Sequence, residues 1–106
     1  HFTTEEEALA QIAERGWHPI TLDIDVAEEA MHFHDFNALV FVLSGEVRAE
    51  YPDGTVETAG PGSKIDAKGF VLHREVDSHH RSVFGFDVPL DQITQPINKP
   101  AADLPQ

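Results

Sequence analysis

Cysteine is absent from this chain, so disulfides and thiolate metal ligands are excluded and the redox compartment cannot be read. Basic residues are scarce: seven Lys and Arg stand against nineteen Asp and Glu, a formal charge of −12. A field of that sign repels phosphate backbones and anionic lipid surfaces, which argues against nucleic-acid and membrane partners. It attracts a divalent cation only weakly at long range, so ligand geometry must decide affinity. Long apolar runs are missing as well. The longest, Ala38–Leu43, has strand length, far short of the roughly 20 residues of a bilayer span. No signal peptide is visible, and a cytoplasmic location is the expectation. The chain opens on His1 in place of methionine, as a trimmed or tagged N-terminus would.

What is present fits one small domain: 106 residues, of which 41% are apolar, enough for a modest packed core. Thr3-Thr4-Glu5-Glu6-Glu7 reads as a helix start, a threonine cap followed by carboxylates at the positive end of the dipole. Ala8, Leu9, Ile12 and Ala13 recur at helical spacing, Gly16 supplies the stop, and this stripe with Trp17 should lie against the outside of a sheet. From Pro19 the period changes to two: Ile20, Leu22, Ile24 and Val26 alternate with Thr21, Asp23 and Asp25. Further strands are expected at 32–43, 46–51, 56–58, 64–66, 71–76 and 81–88. Turn chemistry separates them at Ser44-Gly45, Pro52-Asp53-Gly54, Gly60-Pro61-Gly62 and Lys68-Gly69. Many short strands with little helix argue for an antiparallel sandwich or barrel. The stretch from Pro89 to Gln106 carries Pro89, Pro96, Pro100 and Pro105, a tail that either drapes over a sheet or is mobile.

The chemistry concentrates in histidine. His32 and His34 bracket Phe33, and residues two apart in a strand share a face. His73 closes the segment Gly69–His73 after a turn-rich stretch. Three imidazoles from two strands form a divalent-metal site with positions left open for water, dioxygen or substrate. Such a site should weaken below about pH 6 as the rings protonate. Against this stands a plainer arrangement in which the three rings satisfy one another and water. His79 and His80 face opposite ways in any strand, and a solvated hairpin is expected there; His1 and His18 read as surface residues. Arg48 and Arg81 could anchor a substrate carboxylate, but surface ion pairs are the expectation in so acidic a chain. Continuing from His34, the inward face carries Phe36, Ala38, Val40 and Val42, and the other face Phe33, Leu39, Phe41 and Leu43. Both are apolar, as in a central strand covered by a second sheet, a subunit or a helix, with the site at a barrel mouth above a hydrophobic floor.

These residues resemble the cupin superfamily. Its first motif reads Gly, five residues, His-x-His, three or four residues, Glu, six residues, Gly; here His32, His34 and Gly45 fall in register, while Val26 replaces the opening glycine and Ala38 the glutamate. The second reads Gly, five residues, Pro-x-Gly, two residues, His, three residues, Asn; Gly62 and His73 fit, with Lys68, Phe70 and Asp77 in the Pro, Gly and Asn slots. The resemblance runs from about Pro19 to Val88. It implies an all-β fold, the cupin double-stranded β-helix or jelly-roll barrel, with a short N-terminal helix. Residues 1–18 would form the helical segment, 19–88 the barrel and 89–106 the tail of a single domain. It also implies that His32, His34 and His73 ligate a divalent metal ion, which could be Fe, Mn, Ni or Zn. Without the motif glutamate, three neutral imidazoles leave a divalent ion its full formal charge, which favours anionic, chelating ligands.

Three functions remain open on that basis. One is a metal-dependent enzyme, a dioxygenase or lyase acting on a small oxygen-rich organic acid or diketone; three-histidine cupins similar to this pattern include iron-dependent dioxygenases. The second is a non-enzymatic ligand-binding or sensing cupin, since 34–46 also looks like the ligand-binding domains of sugar-responsive regulators. The third is a cupin with a vestigial site. A homodimer is expected, because a barrel this small leaves strand edges and apolar faces to cover. Glu75, two residues after His73, would share its inward face if 71–76 is a strand. A buried carboxylate needs a partner, which makes Glu75 a candidate acceptor for an imidazole N–H, a fourth ligand or a catalytic base, unless a bulge turns it to solvent.

Overall fold

A computed structural model describes Phe2, residues 4–94 and residues 96–105, so the expectations for His1 and Thr3 lie outside the described residues. The helix forms where its caps place it: α1 spans Glu5–Glu14, with the Thr4 hydroxyl accepting from the Glu7 N–H at 3.1 Å. Gly16 follows at φ +71°, a left-handed turn that ends it. Only half of the apolar stripe is covered, with Ala8 and Ile12 buried and Leu9 37% exposed.

Among the described residues seven strands follow: β1 (His18–Glu28), β2 (His32–Phe33), β3 (Ala38–Glu50), β4 (Val56–Ala59), β5 (Lys64–Ala67), β6 (Arg74–Phe86) and β7 (Lys99–Pro100). β1, β6, β3 and β4 pair in that order, and β5 pairs with the first part of β3. All pairings are antiparallel, and β2 pairs separately with β7. Directly opposed residues share a face, so the register sorts the side chains. Val42 and Leu22 both oppose Ser82, Val40 opposes Phe84, and Ile24 opposes His80, all on the inner face of the barrel. Phe41 opposes Val83 on the outer face, where both are fully buried with Leu39, Ile12, Ala8 and Phe2. The cover expected over this second apolar face is therefore α1. Its seat is Gly85, where a Cβ would stand 2.6 Å from Ile12 Cγ1. A second apolar cluster, Phe36, Ala38 and Phe86, lies towards the histidines.

Three strand expectations are corrected. The continuous strand at 32–43 is broken, because residues 34–37 leave the sheet. Asn37 holds that excursion: its N–H and Nδ2 donate to the Asp87 carboxylate at 3.0 and 2.8 Å, and its Oδ1 accepts from the Gly69 N–H at 2.8 Å. Ser44-Gly45 is not a turn. β3 runs through it with a shift of register between Val42 and Ser44, and Gly45 absorbs the irregularity at φ +79°. Nor is there a hairpin at His79-His80, which lie within one 13-residue strand, β6. Asp77, at φ +48°, bulges that strand without reversing it. Within β6, His79 points outward to the Asp25 carboxylate and His80 is buried.

The two arginines expected to form surface ion pairs also part ways. Arg81 pairs with Asp23 at 3.0 Å as expected, but Arg48 makes no ion pair among the described residues and its Nε is buried without a partner. No helix among the described residues is long and apolar enough to cross a membrane. The proline tail drapes over the barrel, forming 3₁₀ turns at Leu90–Gln92 and Ala101–Asp103 on either side of β7.

Candidate metal centre

The backbone brings His32 and His73 together. Each N–H donates to the other's carbonyl at 2.9 Å, a reciprocal antiparallel bridge that sets the two side chains beside one another. His34 reaches the same point from just beyond β2, its carbonyl accepting from the Phe70 N–H at 2.8 Å. The ring centroids are 4.6 Å (His32–His73), 5.0 Å (His34–His73) and 5.1 Å (His32–His34) apart, a nearly equilateral triangle. One nitrogen from each ring lies within 4.8 Å of the other two, close enough to share a metal ion.

The hydrogen bonds show which nitrogens those are. His32 Nδ1 meets the Ala30 carbonyl at 2.8 Å, His34 Nδ1 the Ile97 carbonyl at 2.9 Å, and His73 Nδ1 the Val71 carbonyl at 2.9 Å. A carbonyl oxygen only accepts, so each Nδ1 carries the proton and each Nε2 keeps its lone pair. Anchoring of the distal nitrogen fixes ring orientation and raises ligand basicity in metal sites. Burial lowers the His34 pKa, with His73 and His32 adding to it against the opposing pull of the Ile97 carbonyl and Glu75, a direction that favours the neutral ring a metal needs.

The second motif leaves its mark in the backbone. Phe70, in the glycine slot, has φ +60°, and Asp77, in the asparagine slot, has φ +48°. Glycine and asparagine enter that left-handed region most easily. This chain keeps the conformations with other residues, and Phe70 is secured in part by stacking on Phe33 at 5.9 Å.

Glu75 is inward, as its spacing from His73 predicts, but none of its hydrogen bonds goes to the three imidazoles. Its Oε1 accepts from Ser78 Oγ at 2.7 Å and lies 3.4 Å from His80 Nε2, while His80 Nδ1 meets Ser82 Oγ at 2.7 Å. Burial raises the Glu75 pKa, but these bonds and the fields of His80 and His73 outweigh it, and the net shift is downward. Glu75 is thus held as a carboxylate behind the triangle.

Sequence reasoning missed His80, for which a hairpin was expected, and missed the tail's part in the site, though a tail draped over a sheet was one of its expectations. The tail supplies the Ile97 carbonyl to His34 and the Asn98 amide to Glu29 Oε2 at 3.2 Å, and β7 pairs with the strand that carries His32. Beside His32 opens a cleft of about 360 Å³ lined by Glu29, Ala30, Met31, His32, Asn98 and Pro100.

No protein-family model and no curated protein matches the sequence. Solved structures do. A cupin-2 domain protein from Shewanella frigidimarina aligns over 69% of this chain and 71% of its own, at 15% identity and a TM-score of 0.56. The EutQ protein of Clostridium difficile aligns over 71% of this chain and 60% of its own, at 15% identity and 0.55. HppE, solved with Fe(II) and its substrate, aligns over 70% of this chain and 47% of its own, at 14% identity and 0.51. The chain thus spans less than two thirds of the last two. Likeness of this kind establishes architecture: the chain has the cupin fold, an antiparallel jelly-roll barrel, and it carries a three-histidine group.

Proposed function

We propose, from the cupin fold and the three anchored imidazoles together, that this chain holds one divalent cation on His32, His34 and His73 and acts as a metal-dependent enzyme. The class of reaction is a dioxygenase or lyase step on a small oxygen-rich organic acid or diketone. The observation that carries the reading is the commitment of all three Nδ1–H groups to backbone carbonyls, which leaves three Nε2 lone pairs at one point. Rings that merely satisfied one another would spend those protons on their neighbours. Imidazole suits iron, manganese, nickel and zinc alike, and HppE, of the same fold, was solved with Fe(II).

A cation held there supplies Lewis acidity toward an anionic, chelating ligand. The chain's own residues do the rest. The cleft beside His32 admits the ligand, and Phe36 stacks against His34 at 5.2 Å to form an apolar wall. Glu75 is the proposed catalytic carboxylate: Ser78 and His80 favour its ionised form, and in this reading it would draw a proton from bound substrate. The protein would be cytoplasmic and homodimeric. Exposed Phe70, Val71 and Ile97, whose backbones bond to the histidine segments, give a second copy an apolar surface to cover.

The test is oxygen uptake by Fe(II)-loaded protein offered a panel of small diketones and hydroxy or oxo acids, with His73→Ala as the control. Uptake that needs both a panel member and His73 supports the reading. Tight binding of a panel member with no turnover would make the chain a ligand-binding cupin.

A further inference from the structure

We propose that Glu29 supplies the carboxylate of this centre, ligating the same cation as the three imidazoles. The proposal rests on the three-histidine reading and adds a residue to it. The cupin motif places an acid four residues after its second histidine, where this chain has Ala38, packed in an apolar cluster with Phe36 and Phe86. Glu29 comes instead from the segment between β1 and β2, three residues before His32, and reaches the triangle from the side of the cleft.

Its Oε1 stands 3.9 Å from His32 Nε2. His32 Nδ1 donates to the Ala30 carbonyl, so in the neutral ring Nε2 is a bare lone pair. A carboxylate oxygen and an imidazole lone pair facing at that distance repel, unless a cation lies between them or Nε2 takes up a second proton. Geometry favours the cation: His34 and His73 each bring a ligand nitrogen within 4.8 Å of that of His32.

Glu29 is also built into its place. Its carboxylate accepts from the Glu75 N–H at 3.1 Å through Oε1 and from Asn98 Nδ2 at 3.2 Å through Oε2, its own N–H donates to the Glu75 carbonyl at 3.0 Å, and its side chain is 21% exposed. Each oxygen keeps a free lone pair. Glu29 is not among the groups that lie mutually within 4.8 Å, so joining the cation takes a turn about its terminal torsions. Charge favours that turn, because one carboxylate halves the formal charge left by three neutral rings.

The experiment is a Co²⁺ titration of chelator-stripped protein, followed by visible absorption, which reports both affinity and ligand set. Wild type should take up one Co²⁺ per chain, and His32→Ala and His73→Ala none. Glu29→Gln should still bind Co²⁺, roughly 10- to 100-fold more weakly and with a changed visible spectrum; Asn98→Ala should weaken binding less. Circular dichroism confirms folding, and if Glu29→Gln does not fold, Glu29→Asp carries the same test through weakened binding and a shifted spectrum. If the variant that folds binds as wild type does with an unchanged spectrum, while the histidine variants lose the metal, the triad stands and Glu29 is only an ion-pair partner of His32. If wild type takes up no Co²⁺, the three-histidine reading falls and this inference falls with it.

Discussion

Gly45→Ala should be among the most damaging substitutions in the chain, and the structure says by how much. Gly45 sits at φ +79°, where an alanine pays about 1–2 kcal/mol for its Cβ. The new Cβ would also stand 2.1 Å from the His79 carbonyl oxygen and 2.8 Å from His80 Cα, both backbone atoms of the paired strand that cannot rotate away. Relieving such an overlap inside a sheet costs about 1–3 kcal/mol more. The sum, about 2–5 kcal/mol, is a large part of the roughly 5–15 kcal/mol that holds a domain together. At about 4–8 °C per kcal/mol it lowers the melting temperature by roughly 10 °C or more. Gly54→Ala is the matched control, with φ +88° and no atom within 4 Å of its Cβ, so only the conformational part applies. Urea unfolding of the two variants separates the terms. Gly45→Ala no more destabilised than Gly54→Ala would show that β3 and β6 do not approach as described.

Glu75→Gln removes a carboxylate that accepts from Ser78 and His80, and should lower stability at pH 7 by about 1.5 kcal/mol or more in urea unfolding. Because the folded pKa of Glu75 is depressed, its contribution is present above the unfolded carboxylate value and lost as pH falls through the folded one; the variant and wild type should converge in acid, and a gap that persists there would contradict the assignment. Deleting residues 96–106 takes away the Ile97 carbonyl, Asn98 and β7, and should weaken metal binding roughly tenfold or more in competition with a chromogenic chelator; unchanged affinity would mean the tail only decorates the site. Light scattering should give the mass of a dimer, and a stable monomer at micromolar concentration would refute that proposal.

Much of the fold was legible because its causes are local. Thr4 and Gly16 bound α1, and the alternation from Ile20 to Val26 marks β1. The two apolar faces of β3 anticipate a strand covered on both sides. What could not be read depends on distant partners. Glycine takes positive φ in a turn and in a bulge alike, and only the His79 carbonyl beneath Gly45 decides between them. The acidic and polar run at 75–80 looks solvated until β1 pairs along its whole length and buries Ser78 and His80. The histidine triangle was visible from spacing, yet its supports were not. Ile97 lies 63 residues from His34 and Asn98 69 from Glu29, and no local pattern announces either contact.

Metal content tests the account most directly. Protein produced without chelator or a nickel column should carry close to one equivalent of iron, manganese, nickel or zinc per chain by plasma mass spectrometry. Each of His32→Ala, His34→Ala and His73→Ala should carry almost none while remaining folded. Wild type free of all four metals, even after reconstitution, would contradict the central claim. So would His73→Ala with undiminished metal, which would break the register of the second motif and the triangle with it.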